Sequence, residues 1–177
     1  MTFNTVASTN SAERRRSDLQ IVVIDRDHAK AVVSNMLLML WRYNTTLTAY
    51  RGAIRLAKEV AAEHPEGVGV VHIVDAEAVP PAADTRQEFV TFLRLPVVRH
   101  FAVAHTSTGF KAAAVRAVVS TQQTLARPTC EHSVHATIPS AAQWAAQHQQ
   151  RLGHSESAAT IGAWLSELRD THYTKYP

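Results

Sequence analysis

Ala31-Val32-Val33-Ser34-Asn35-Met36-Leu37-Leu38-Met39-Leu40-Trp41 is the stretch on which the fold turns. Its second half, Met36 to Trp41, is apolar at every position instead of alternating, the pattern of a strand whose two faces both meet protein. A short buried helix is the competing reading, because periodicity does not separate the two over six residues. Interrupted by Ser34-Asn35, the run reads as one longer strand or as the hairpin partner of the strand before it. That earlier strand is Leu19-Gln20-Ile21-Val22-Val23-Ile24, β-branched and closed by the turn Asp25-Arg26-Asp27.

Beyond Trp41 the period changes. Leu47, Tyr50, Ile54, Ala57 and Ala61 recur every three or four residues until His64-Pro65-Glu66-Gly67, which marks an amphipathic helix and its end. Val68 to Val74 is then a buried strand. After Pro80-Pro81, Asp84 and Gln87 have capping-box spacing ahead of a helix with Phe89, Phe92 and Leu93, which Pro96 stops. Val97 to His105 is a strand, and Thr106-Ser107-Thr108-Gly109 is a polar turn opening a helix through Val115, Val118, Val119 and Leu125 to Arg127-Pro128. Ser133 to Ile138 is the last strand. Ser140 and Gln143 suggest a second capping box for a helix with Trp144, His148 and Leu152, and after the break at Gly153 Ser157 caps a final helix. The predicted order is β-β-α-β-α-β-α-β-α plus one helix. The fold class is therefore α/β, a mixed and mostly parallel five-stranded sheet flanked by helices. In domains, 1–17 is a disordered basic head, 18–152 the α/β body and 153–177 a helical extension.

Composition bounds the function. The 177 residues suit one domain, with 46% hydrophobic and 19% charged residues, and no run approaches the roughly 20 apolar residues of a membrane-spanning helix. Without an apolar signal segment near Met1, and with Cys130 as the single cysteine, the cytoplasm is the expected compartment. The net charge of +3 is small, and Arg14-Arg15-Arg16 sits in a Ser/Thr/Asn-rich head, which reads as a solvated cluster and argues against nucleic acid as a partner.

The element order resembles the STAS domain of anti-sigma-factor antagonists and transporter tails, over Leu19 to Leu152. More narrowly, Trp41-Arg42-Tyr43-Asn44, His64-Pro65-Glu66-Gly67-Val68-Gly69, Thr108-Gly109-Phe110-Lys111-Ala112-Ala113-Ala114-Val115-Arg116 and Ala141-Ala142-Gln143-Trp144 are similar to STAS-like bacterial proteins. That resemblance implies a fold and no particular activity. In the antagonists, the resemblance implies a phosphorylated Ser in an Asp-Ser-Ser-Gly-like turn after the third strand. The matching stretch here, Val74-Asp75-Ala76-Glu77-Ala78-Val79-Pro80-Pro81, holds no hydroxyl residue, and Thr85 lies just beyond it at a helix start.

Candidate chemistry is sparse. In open parallel sheets, ligands gather beyond the carboxyl ends of strands, where helix N-termini offer free N–H groups. That edge should carry Asp75 and Glu77 from one loop, and His105, Thr106, Ser107, Thr108 and Lys111 from another. Together they would form an anion-binding or acid–base set, unless they merely end strands and cap a helix. Cys130-x-His132-x-x-His135 is dense in metal-ligand types, but strand alternation turns His135 away from the other two, so no metal is expected. Neither a Gly-x-Ser-x-Gly elbow nor a phosphate-binding loop occurs, so no cofactor is expected. Ile161, Trp164, Leu165 and Leu168 form an apolar stripe that packs on the chain's own sheet or anchors a partner. The expected function is a non-catalytic protein-interaction or regulatory module whose partner is another protein or a second copy. The alternative is a small-ligand or anion-binding domain, or an enzyme, using Asp75, His105, Ser107 and Lys111.

Overall fold

Ser34 decides how many strands there are. In the computed structural model, which describes residues 19–106, 109, 113, 116, 117, 119–121, 124 and 127–177, Ser34 takes φ 51 and with Asn35 makes a two-residue turn. Val33 therefore pairs with Met36, and the quoted stretch becomes two antiparallel strands, β2 (His28–Val33) and β3 (Met36–Trp41). The sheet has six strands where five were expected. Hairpin turns with positive φ favour Gly or Asn, and a Ser in that place hides the turn.

The remaining strands are β1 (Gln20–Ile24), β4 (Val68–Val74), β5 (Val98–His105) and β6 (Glu131–His135), and the sheet order is simply β1-β2-β3-β4-β5-β6. The first three form an antiparallel meander, and β3 to β6 run parallel. That order has a geometric consequence. Right-handed crossovers that always step the same way along a sheet put every connecting helix on one face. Helices α1 (Leu47–Glu63) and α2 (Ala83–Leu93) lie there, over Leu37, Met39, Trp41, Val70, Phe101 and Val103. The described residues between Thr106 and Arg127 are helical, and Val119 joins the same cluster.

The opposite face would be bare without the segment that follows β6. Helices α3 (Ile138–Arg151) and α4 (Ala158–Lys175) cover it, burying Ala29, Ala31, Met36, Leu38, Leu40, Val71, Ile73, Ala102 and Ala104. Alternate residues of β3 thus meet different helical layers, which is why the strand is apolar throughout. Small Ala141, Ala142, Ala145 and Ala146 let α3 lie close to the sheet, while Ile161, Trp164, Leu165 and Leu168 of α4 complete the layer.

The helix ends show what the side chains chose. Thr46 caps α1 by accepting from the Ala49 amide, and Ser157 caps α4 by accepting from the Thr160 amide. Two expected capping boxes differ. Asp84 lies inside the first turn of α2, accepting from the Thr85 amide at 2.7 Å, behind an N-cap Ala82 that makes no side-chain bond. Thr137 caps α3, accepting from the Ser140 amide, and Pro139 fits in the first turn, where its missing N–H costs nothing. The last strand accordingly ends at His135 instead of Ile138. Among the described residues, no helix is long and apolar enough to cross a membrane.

Candidate functional site

At the carboxyl edge of the parallel strands, the candidate residues do not gather round one space. Asp75 follows Val74 of β4 on the α4 side and is 5% exposed. Its carboxylate accepts from the Tyr173 hydroxyl of α4 and from Thr106 Oγ1 at 3.4 Å, and Thr106 Oγ1 accepts from the Ala76 amide at 3.1 Å. His105 belongs by strand alternation with Phe101 and Val103 on the other face, where Arg116 approaches its Nε2 at 3.4 Å. Asp75 and Thr106 are therefore together, and His105 is across the sheet from them. Ser107, Thr108 and Lys111 lie outside the described residues, as does the Arg14–Arg16 cluster.

The end of α4 closes this edge. Arg42, just past β3, donates to the Tyr176 carbonyl, stacks 4.0 Å from the Tyr173 ring centroid and pairs with Glu77 at 3.6 Å. His172 Nε2 contacts the Asp25 carbonyl at 2.8 Å. Burial, and then the Asp75 carboxylate, raise the Tyr173 hydroxyl above its ordinary range. Tyr173→Phe removes a donor from a buried carboxylate, so the expected loss is about 1–3 kcal/mol of stability, read from urea unfolding at pH 7. A change below about 0.5 kcal/mol would mean that solvent already reaches Asp75.

Of the two placements open to the apolar stripe of α4, the structure takes the chain's own sheet: Ile161, Trp164, Leu165 and Leu168 are all buried. Cys130 is buried too, its thiol pushed up to about 11 by burial, and His132 is exposed with only a 3.4 Å contact to the Cys130 carbonyl.

The opposite, amino edge carries more chemistry than the sequence reading assigned it. His64 ends α1, Glu66 stands in the turn before β4, and His154 follows α3. His64 Nδ1 lies 3.1 Å and His154 Nε2 2.8 Å from the same oxygen, Glu66 Oε1. The three donor atoms lie within 4.8 Å of one another, and no other group of three metal-ligating side chains meets that spacing among the described residues. Ser34 Oγ and Glu156 Oε1 face the second ring nitrogen of His154, at 3.3 and 3.9 Å. Glu66's own backbone amide and His154 hold the Glu66 carboxyl below the usual carboxylate range.

The turn that presents Glu66 is rigidly specified. Gly67 sits at φ 103, and a Cβ there would come 2.9 Å from the Val97 carbonyl, so only glycine fits. Arg99 donates to the Glu66 carbonyl at 3.0 Å and Asn35 to the Gly67 carbonyl at 2.9 Å.

Behind this turn, Gly69 lies against two buried polar side chains. His100 Nε2 and Gln149 Nε2 both come within 2.5 Å of the point a Cβ on Gly69 would occupy, so the bare glycine makes their room. Both ring nitrogens of His100, both side-chain polar atoms of Gln149 and Asn35 Oδ1 are buried and have no hydrogen-bond partner among the described residues. Burial and the nearby His148 hold His100 neutral, its pKa lowered to about 3.

One signal for the amino-edge group was present in the sequence. His64-Pro65-Glu66 and His154-Ser155-Glu156 share His-x-Glu spacing, the first directly after α1 and the second just beyond α3. Compared with known proteins, the chain matches no family model, no curated protein and no solved structure.

Proposed function

We propose that the chain is a non-catalytic protein-interaction module of STAS-like organisation, whose partner is a second copy meeting it along the free edge of β1. The observation that carries this reading is the closed carboxyl edge. Tyr173 and Thr106 occupy Asp75, and His105 stands across the sheet, so acid and base do not face a common substrate position. Contact surface, and not a reactive cleft, is what such an arrangement supports. The element order with its antiparallel opening and parallel remainder supports the STAS-like expectation.

The contact surface is β1. Among the described residues it pairs only with β2, which leaves one row of backbone groups for another strand. Val22, opposite no residue of β2 where the register shifts between Ile21 and Val23, is 45% exposed. Two copies meeting edge to edge in antiparallel fashion would form an isologous, closed pair.

Sedimentation of the full chain tests this. The wild type is expected to dimerise, and Val22→Lys, which places a charge on the edge, to weaken dimerisation by about tenfold or more. A strictly monomeric wild type, or a dimer indifferent to Val22→Lys, would refute the edge contact.

A further inference from the structure

We propose that His64, Glu66 and His154 form a binding site for a divalent transition metal, zinc above all, that pins the two helical layers together across the amino edge of the sheet. This goes beyond the interaction reading and does not depend on it.

Geometry carries the inference. In a tetrahedral zinc site, with bonds of about 2.0–2.1 Å, donor atoms stand about 3.3 Å apart. Here two imidazole nitrogens already stand 3.1 and 2.8 Å from one carboxylate oxygen, and all three atoms lie within 4.8 Å. A small outward rotation of the rings opens the centre for an ion. Two imidazoles and one carboxylate suit zinc and its neighbours and disfavour magnesium or calcium, which prefer all-oxygen sets. Three protein ligands leave a fourth position for water or for a side chain of a bound partner.

The surroundings resemble the support that such sites carry. A metal-bound histidine commonly gives its other ring nitrogen to a carboxylate or hydroxyl, which fixes its orientation. His154 Nδ1 faces Ser34 Oγ at 3.3 Å and Glu156 Oε1 at 3.9 Å, and Glu156 Oε2 is buried with no hydrogen-bond partner among the described residues. Gly67, Arg99 and Asn35 hold the Glu66 turn from behind.

Placement gives the site a consequence. His64 and Glu66 belong to the connection from α1 to β4, in the layer over one face, and His154 to the connection from α3 to α4, in the layer over the other. The three residues therefore join segments 88 positions apart in sequence, and an ion bound between them resists separation of α3 and α4 from the sheet.

The test uses the full chain, stripped with chelator and titrated with zinc alone by calorimetry and with cobalt alone by visible absorption. One equivalent of zinc is expected, with the intense d–d bands of four-coordinate cobalt and a raised melting temperature. Glu66→Gln and His154→Ala should each weaken binding by about tenfold or more. His132→Ala, outside the site, should leave it unchanged. If His154→Ala fails to fold by circular dichroism, the isosteric Glu66→Gln decides alone. Absence of binding up to roughly 0.1 mM zinc, or binding that Glu66→Gln leaves intact, would overturn the assignment.

Discussion

Leu165→Ala is expected to lower the unfolding free energy by about 2–5 kcal/mol, the cost of removing a fully buried leucine from a site that relaxes little. Leu165 is wholly buried in the cluster formed by α3, α4 and one face of the sheet. The fully or nearly buried α3 members of that cluster are alanines, too short to fill the void, and the strands beneath are held by ladders on both sides. Against a total of about 5–15 kcal/mol for an ordinary domain, this single change removes a large share. Ser166→Ala, one position on and exposed, is the control and should stay within about 0.5 kcal/mol. Urea unfolding monitored by tryptophan fluorescence reads both. A loss below about 1 kcal/mol for Leu165→Ala would mean that α4 detaches without disturbing the sheet.

Acid is expected to unfold the protein steeply from pH 6.5 downward. His72 is 2% exposed, in a cage of Tyr50, Phe89, Phe92 and Phe101, and takes a hydrogen bond from Trp41 Nε1 at 3.3 Å. Burial, then the nearby Lys30, lower its pKa to about 3, and burial with His148 does the same to His100. The folded state keeps both rings neutral, whereas the unfolded chain protonates them near the ordinary imidazole value of 6.5. Between pH 6.5 and about 3 the unfolded state thus binds more protons, and stability falls as pH falls. Each histidine contributes up to about 1.4 kcal/mol per pH unit, a slope reached about one unit below 6.5, where the pair together approaches about 3 kcal/mol per unit. His28, His135 and His172, also lowered chiefly by burial, act in the same direction. Unfolding free energies should therefore fall by about 1.4 kcal/mol from pH 7 to 6 and by about 2.4 kcal/mol from pH 6 to 5 on account of this pair, and His72→Leu should remove about half of each drop. Equal stability at pH 7 and 5 would contradict the neutral, buried placement.

The two faces of the sheet were legible to different degrees. Three-to-four spacing from Leu47 to Ala61 announced α1, and continuous apolarity from Met36 to Trp41 announced a strand covered twice. The sixth strand was hidden because Ser34 takes a turn conformation that Gly or Asn usually marks. Asp84 and Ser140 have capping chemistry, but Ala82 and Thr137 lie where the chain actually enters the helices, and a motif alone does not fix that entry.

Site legibility followed sequence distance. Asp75 and Thr106 could be placed together because neighbouring parallel strands end side by side, while strand parity separates His105 from both. That the end of α4 would close this edge was not visible, although 18 helical residues reach about 27 Å, enough to run the length of a strand and set Tyr173 over Asp75. His64, Glu66 and His154 meet only because the turn after α3 returns to the same edge as the turn after α1. Neither His-x-Glu pair states that convergence by itself.

Helices α3 and α4 form the second half of one core with the sheet. Native-state hydrogen exchange tests it most directly, through the amides of Leu165 and Leu168 in α4 and of Val71 and Ile73 in β4. All four are expected to exchange only through global opening, with matching free energies and matching dependence on denaturant. Free exchange of the α4 amides while those of β4 remain protected would contradict it.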